Sequence, residues 1–228
     1  CAFRSPMLPE KLCNDVCSLR PAEDRLAMSV KMKLSSSGKI LGATAMNSVI
    51  RSRARLSYDQ VDGYLQGDAA ALDSVVSKDD TDAIKEMINV LNQIRALREE
   101  IREKRGSVDF ESVETRVVLD QDNKPIGVSV RERTQATGLI EEAMLAANES
   151  VAHMLSQHDL ESAYRVHEQP SPESLKLAVT PLVTMDALEP DVASRIAIGD
   201  QTALQEAMES VHGTRYSRVV NAQLLRAQ

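Results

Sequence analysis

Cysteine is scarce in this chain of 228 residues, with three in all: Cys1, Cys13 and Cys17. Cys13 and Cys17 stand four apart with no histidine near them. They make neither a disulfide framework nor a sound zinc site, and buried, reduced thiols are the expectation. No uninterrupted apolar run approaches the roughly 20 residues that a membrane span needs. No charged-then-apolar leader opens the sequence as given. A cytoplasmic protein without a membrane partner is the expectation. Internal repeats and low-complexity tracts are missing too, and no composition shift marks a domain boundary. Basic charge is also short, with 27 Lys and Arg against 34 Asp and Glu and a net charge of −7. That balance speaks against gripping nucleic acid by phosphate neutralisation alone. It leaves room for a nuclease whose site is acidic because it works through metal ions.

Hydrophobic residues make up 43% of the chain, enough for one sizeable core or two small ones. Leu26, Met28, Val30, Met32 and Leu34 alternate with polar or small residues, the pattern of a half-buried strand. The turn chemistry of Ser35-Ser36-Ser37-Gly38 leads into a second β-rich run from Ile40 to Ile50, so a hairpin is expected. If that strand continues, Arg51, Arg53 and Arg55 project from one face. Such a row would track phosphates or form intramolecular ion pairs. A short helix is expected over Tyr58–Leu65.

A helical period then runs from Thr81 to Arg105, with Ile84, Ile88, Leu91, Ile94, Leu97 and Ile101 in one stripe and Gly106 as its stop. The dense charges of Arg95–Arg105 read as a solvated face. Asp120–Pro125 supplies the turn of a second hairpin between Thr115–Leu119 and Ile126–Val130. The next helix is expected from Gly138 to His158, burying Ile140, Met144, Ala147, Val151 and Met154. Beyond Gln169-Pro170-Ser171-Pro172 the sequence reads as short helices punctuated by Pro181, Pro190, Gly199 and Gly213. His153, His158 and His212 stand alone and are expected at the surface. The mixture is α+β, with a largely antiparallel sheet and flanking helices.

Five segments, in order, carry a family resemblance. Pro6-Met7-Leu8-Pro9-Glu10, with Asn14, Cys17-Ser18-Leu19 and Asp24-Arg25-Leu26-Ala27, is the first. Ser52-Arg53-Ala54-Arg55-Leu56-Ser57-Tyr58 is the second, and Arg105-Gly106 with Phe110-Glu111 the third. Leu139-Ile140-Glu141-Glu142-Ala143-Met144-Leu145-Ala146-Ala147-Asn148 and Tyr164-Arg165-Val166-His167-Glu168 with Pro170 complete the set. Together they resemble the catalytic RNB domain of the ribonuclease II / ribonuclease R family, closer to ribonuclease R. The chain departs from that pattern at Gln135-Ala136-Thr137-Gly138, where many members carry Asp-Ala-His followed by Lys or Arg.

The resemblance implies an RNB-like fold, incomplete, with residues 1–228 as one partial RNB domain. It implies a hydrolytic 3′→5′ exoribonuclease that takes single-stranded RNA, not DNA, to nucleoside 5′-monophosphates. The parent protein would be monomeric and use Mg2+, held by aspartates upstream of this chain, so no metal ligand and no catalytic residue is assigned within it. The isolated piece would be inactive. By the same resemblance Tyr58, Phe110, Glu141, Arg165 and His167 contact RNA. Phe110, one of two phenylalanines, would stack a base near the 3′ end; Tyr58 would hydrogen-bond a nucleotide; Glu141 would accept from a ribose hydroxyl. Ordinary roles stay open for each: Phe110 in the core, Tyr58 packing a helix start, Glu141 and Glu142 complementing a helix dipole in its first turn, Arg165 and His167 satisfying carboxylates. Only one of Glu141 and Glu142 can face the RNA, since helix neighbours point about 100° apart. A non-catalytic RNB-like module for RNA binding or protein interaction is the alternative reading.

Overall fold

The computed structural model describes residues 6–107, 114–120, 122, 124–131, 133–166 and 168–227. Strands β1 (Asp24–Leu34) and β2 (Ile40–Arg51) form an antiparallel hairpin. Helices α1 (Tyr58–Leu65) and α2 (Thr81–Lys104) follow. Next come β3 (Glu114–Leu119) and β4 (Pro125–Arg131), a second two-stranded sheet, and the long helix α3 (Gln135–Gln157). Four shorter helices complete the order: α4 (Pro172–Thr184), α5 (Pro190–Ala197), α6 (Gln201–Val211) and α7 (Ser217–Ala227). The fold is α+β. No helix among the described residues is long and apolar enough to cross a membrane.

The chain divides into two compact units, residues 1–99 with 115–162 and residues 100–114 with 163–228. In the first, Ile84 and Ile88 of α2 pack with Leu72, Val76 and Leu139 of α3, and Leu56 and Val61 border that cluster. In the second, α4 to α7 close around Leu182, Ile196, Val220 and Leu224. Ala203 and Ala207, both fully buried, give α6 a smooth face there. Pro190 sits in the first turn of α5, where its missing N–H would be unbonded anyway. Gly199 takes φ +86 just past that helix, a left-handed conformation that a side chain would strain.

Several expectations need correction. Pro181 does not punctuate a helix; it lies inside α4. Cys13 is half-buried and Cys17 exposed, both free thiols, because a single π-helical turn at Leu12–Val16 runs along the surface with no buried residue. The apolar face of β1 is open at its start, with Leu26 86% and Met28 77% exposed. α3 packs against β1 and β2, and the alternate face is the part-buried one, where Ser29 Oγ bonds Ser48 Oγ at 2.7 Å. The strand ends at Arg51, so Arg53 and Arg55 are not part of a ladder, although their side chains and that of Arg51 are all exposed.

α3 begins three residues before the expected start. Thr134 caps it: the Thr137 N–H donates to Thr134 Oγ1 at 3.3 Å, and the Thr134 N–H donates to Thr137 Oγ1 at 2.8 Å. Its buried face is Leu139, Glu142, Ala146 and Ser150, while Ile140 and Met144 are exposed. The i, i+3, i+4 spacing is kept, yet it selects a stripe that mixes polar and apolar residues.

Candidate nucleic-acid interface

Tyr58 is placed by its own neighbours. Ser57 is the N-cap of α1, with its N–H donating to Gln60 Oε1 at 2.9 Å and its hydroxyl accepting from the Gln60 N–H at 3.3 Å. This reciprocal cap fixes the helix start, so Tyr58 occupies the first helical position with 42% of its surface exposed.

α1 also fastens α3. Asp62 is 9% exposed, and its Oδ1 accepts from the Ala136 N–H at 2.9 Å. Ala136 is the second residue of α3, so Asp62 satisfies one of the amide donors that every helix start leaves unbonded. The helices carrying Tyr58 and Glu141 are joined by this bond. Nothing in the local pattern around Asp62 announces it, because its partner is 74 residues away.

The early start of α3 moves Glu141 and Glu142 out of the first turn, which holds no acid, so dipole complementation does not account for them. Their faces separate them. Glu142 is 1% exposed, whereas 44% of the Glu141 side chain is exposed, with Oε2 3.1 Å from Arg133 Nε. Glu141 is the one available to a ligand. Arg133 reaches Glu99 Oε1 as well, at 3.4 Å, and the other oxygen of Glu99 pairs with Arg95. A Cβ added at Gly138 would lie 3.3 Å from both Arg95 Cδ and Glu99 Oε1, so the missing side chain makes room for that pair.

The charges of α2 are not all solvated. Arg98 is 5% exposed, and its Nη2 donates to Glu149 Oε2 at 2.6 Å. Glu100 and Lys104, by contrast, form the expected exposed i, i+4 pair, which lowers the Glu100 pKa. Arg51 Nε meets Asp24 Oδ1 at 2.6 Å, and Arg53 meets Asp80 Oδ1 at 2.7 Å. The Asp80 pKa is lowered first by the Ser77 hydroxyl and then by Arg53. Two of the three arginines of the row are therefore in intramolecular pairs. Arg55 is exposed and has no side-chain partner among the described residues.

In the second unit Arg165 is exposed on an irregular stretch before α4, with no carboxylate partner among the described residues. Phe110 and His167 lie outside the described residues. His153, His158 and His212 are exposed. Among the described residues no group of three or more His, Cys, Asp or Glu could hold a metal ion.

A family model described as the RNB domain matches residues 1–228, the full chain. The chain belongs to the RNB domain family. It is 32% identical to ribonuclease R 1 of Lactococcus lactis over 222 residues, covering 97% of this chain and 26% of that protein. The chain thus spans about a quarter of the length of the curated relatives it matches. The apo form of RNase R from Mycoplasma genitalium superposes on it with a TM-score of 0.82 at 26% identity, over 97% of this chain and 33% of that one. The same enzyme in complex with ribose-methylated single-stranded RNA gives a TM-score of 0.81 at 27% identity, over 97% and 33% of the two chains. The α+β fold of this RNB chain is therefore similar to the matched third of that RNase R.

Proposed function

We propose that this chain is part of a hydrolytic 3′→5′ exoribonuclease that degrades single-stranded RNA to nucleoside 5′-monophosphates. The observation that carries the reading is the RNB match along all 228 residues. A structural neighbour complexed with single-stranded RNA supports it. Residues 1–228 would be one part of an RNB domain, and the reaction would need the complete polypeptide.

In this reading Tyr58 and Glu141 lie on two helices held together through Asp62, and each residue is partly exposed. Tyr58 would hydrogen-bond a nucleotide. Glu141, the exposed member of its pair, would accept from a ribose 2′-hydroxyl, the group by which a protein tells RNA from DNA. Phe110 would stack a base near the 3′ end, a contact typically worth about 1–3 kcal/mol. Arg165 and His167 would meet phosphates in the second unit. Mg2+ is the cofactor expected of such an enzyme, supported by oxygen ligands. The described residues do not fit that ion, so its carboxylates are assigned to other parts of the polypeptide.

The test is a labelled single-stranded RNA incubated with the complete polypeptide, with and without Mg2+. Stepwise shortening from the 3′ end that needs the metal is expected, and residues 1–228 alone should leave the RNA intact. A metal-replete complete polypeptide that leaves the RNA intact would overturn the proposal and favour a non-catalytic RNA-binding relative.

A further inference from the structure

We propose that Arg133 is a positioning residue for Glu141, setting which carboxylate oxygen meets the ribose, within an ion-pair chain Arg95–Glu99–Arg133–Glu141. The proposal rests on the reading of Glu141 as a ribose contact and extends it to the residues that hold that carboxylate in place.

The geometry follows from the helix. Side chains tilt toward the N-terminus of the helix that bears them, so Glu141 leans back along α3 toward the residues before its cap. Arg133 stands there, immediately ahead of the Thr134 cap. Its Nε lies 3.1 Å from Glu141 Oε2. Oε1 of Glu141 has no protein partner among the described residues, so one oxygen is anchored and the other is left for an incoming hydroxyl. An exposed glutamate without an anchor samples several rotamers, and ordering it on binding costs conformational entropy. Arg133 removes part of that cost in advance.

Arg133 is itself held from the far side. Its Nη2 lies 3.4 Å from Glu99 Oε1. Glu99 pairs with Arg95, whose Nε donates to Asn92 Oδ1 at 2.9 Å. Two cations and two anions thus alternate along this chain of contacts. Gly138 is what admits the α2 end of this chain, since a Cβ there would press on Arg95 Cδ and Glu99 Oε1 at 3.3 Å.

The experiment measures Kd for an all-ribo and an all-2′-deoxy oligonucleotide of one sequence, using the complete polypeptide with metal chelated so that nothing is cleaved. Glu141→Ala should narrow the ribo-to-deoxy ratio about tenfold, the size of one hydrogen bond to a charged group. Arg133→Ala should narrow it about threefold, as befits an indirect effect. Arg133→Lys should restore most of the ratio, which a general loss of fold would not allow. Arg133→Ala should add nothing in the Glu141→Ala background. If Arg133→Ala weakens both oligonucleotides equally and in both backgrounds, Arg133 is a phosphate contact and the positioning role is refuted. If Glu141→Ala narrows the ratio and Arg133→Ala does not, only the positioning role fails. If Glu141→Ala leaves the ratio unchanged, the ribose reading fails and takes this inference with it.

Discussion

Replacing Asp62 tests the joint between the helices that bear Tyr58 and Glu141. Asp62→Ala leaves the Ala136 N–H without its acceptor at a residue only 2% exposed, where water has poor access. A buried donor left unsatisfied costs about 1–3 kcal/mol. The carboxylate also sits at the positive end of α3, an interaction of about 0.3–1 kcal/mol. Local opening of the α3 start should therefore become easier by about 2 kcal/mol, or roughly thirtyfold at 1.4 kcal/mol per decade. Asp62→Asn keeps an acceptor and loses only the charge, so about 0.5 kcal/mol, or roughly twofold, is expected. Amide hydrogen exchange of the complete polypeptide, read at residues 135–138, measures this without needing global unfolding. Peptides from α4 should exchange unchanged in both variants. If Asp62→Ala exchanges at the wild-type rate across residues 135–138, another acceptor serves Ala136 and the argument is wrong.

Two further outcomes follow from the geometry. The Asp200 pKa is held down to about 2, first by the Thr202 hydroxyl and next by Arg195. A carboxylate depressed in the folded state contributes stability above its unfolded value near 3.9, and that contribution is lost as pH falls through about 2. Carboxyl NMR should place the midpoint near 2, and Asp200→Asn should flatten the acid limb of unfolding below about pH 4; a midpoint near 4 would refute the assignment. Gly138→Ala sets a helix-propensity gain of up to about 1 kcal/mol against displacement of Arg95 and Glu99, both flexible side chains. Its melting temperature should therefore stay near that of the wild type, and a loss above about 2 kcal/mol would show that the α2 pair cannot yield.

Short-range signals were readable from the residues. The β1–β2 hairpin follows from a period of two and a Ser-Gly turn, and α1 follows from Ser57 and Gln60, which cap it without outside help. What depended on partners far along the chain was not readable. Gly138 looks like a helix boundary, yet it lies inside α3, because Thr134 and Thr137 form a cap without the usual glutamate. That shift alone removed the first-turn explanation for Glu141. Apolar periodicity chose Ile140 and Met144 as buried, but the packed face contains Glu142 and Ser150. Long, charged Arg98 likewise sits among solvated neighbours in sequence and is buried in space. Of the candidate contacts, Tyr58 and Glu141 came from family motifs rather than from any period, and their exposure is what the fold adds. Asp62 and Arg133 had no motif to mark them.

Among the described residues the β1–β2 hairpin stands as a ribbon of two strands, so each of its strands is an edge. Its ladder runs from Asp24 opposite Arg51 to Leu34 opposite Ile40. Along both flanks, peptide groups are left to bond a further strand, and Leu26, Met28 and Val49 form a greasy strip on one side. Handled by itself, this polypeptide would present that strip to solution, whereas Leu175, Leu182, Leu204 and Leu224 of the helical unit lie in its core. The ribbon is where self-association of the separated chain would begin, and charged replacements at Leu26 and Met28 are the place to curb it.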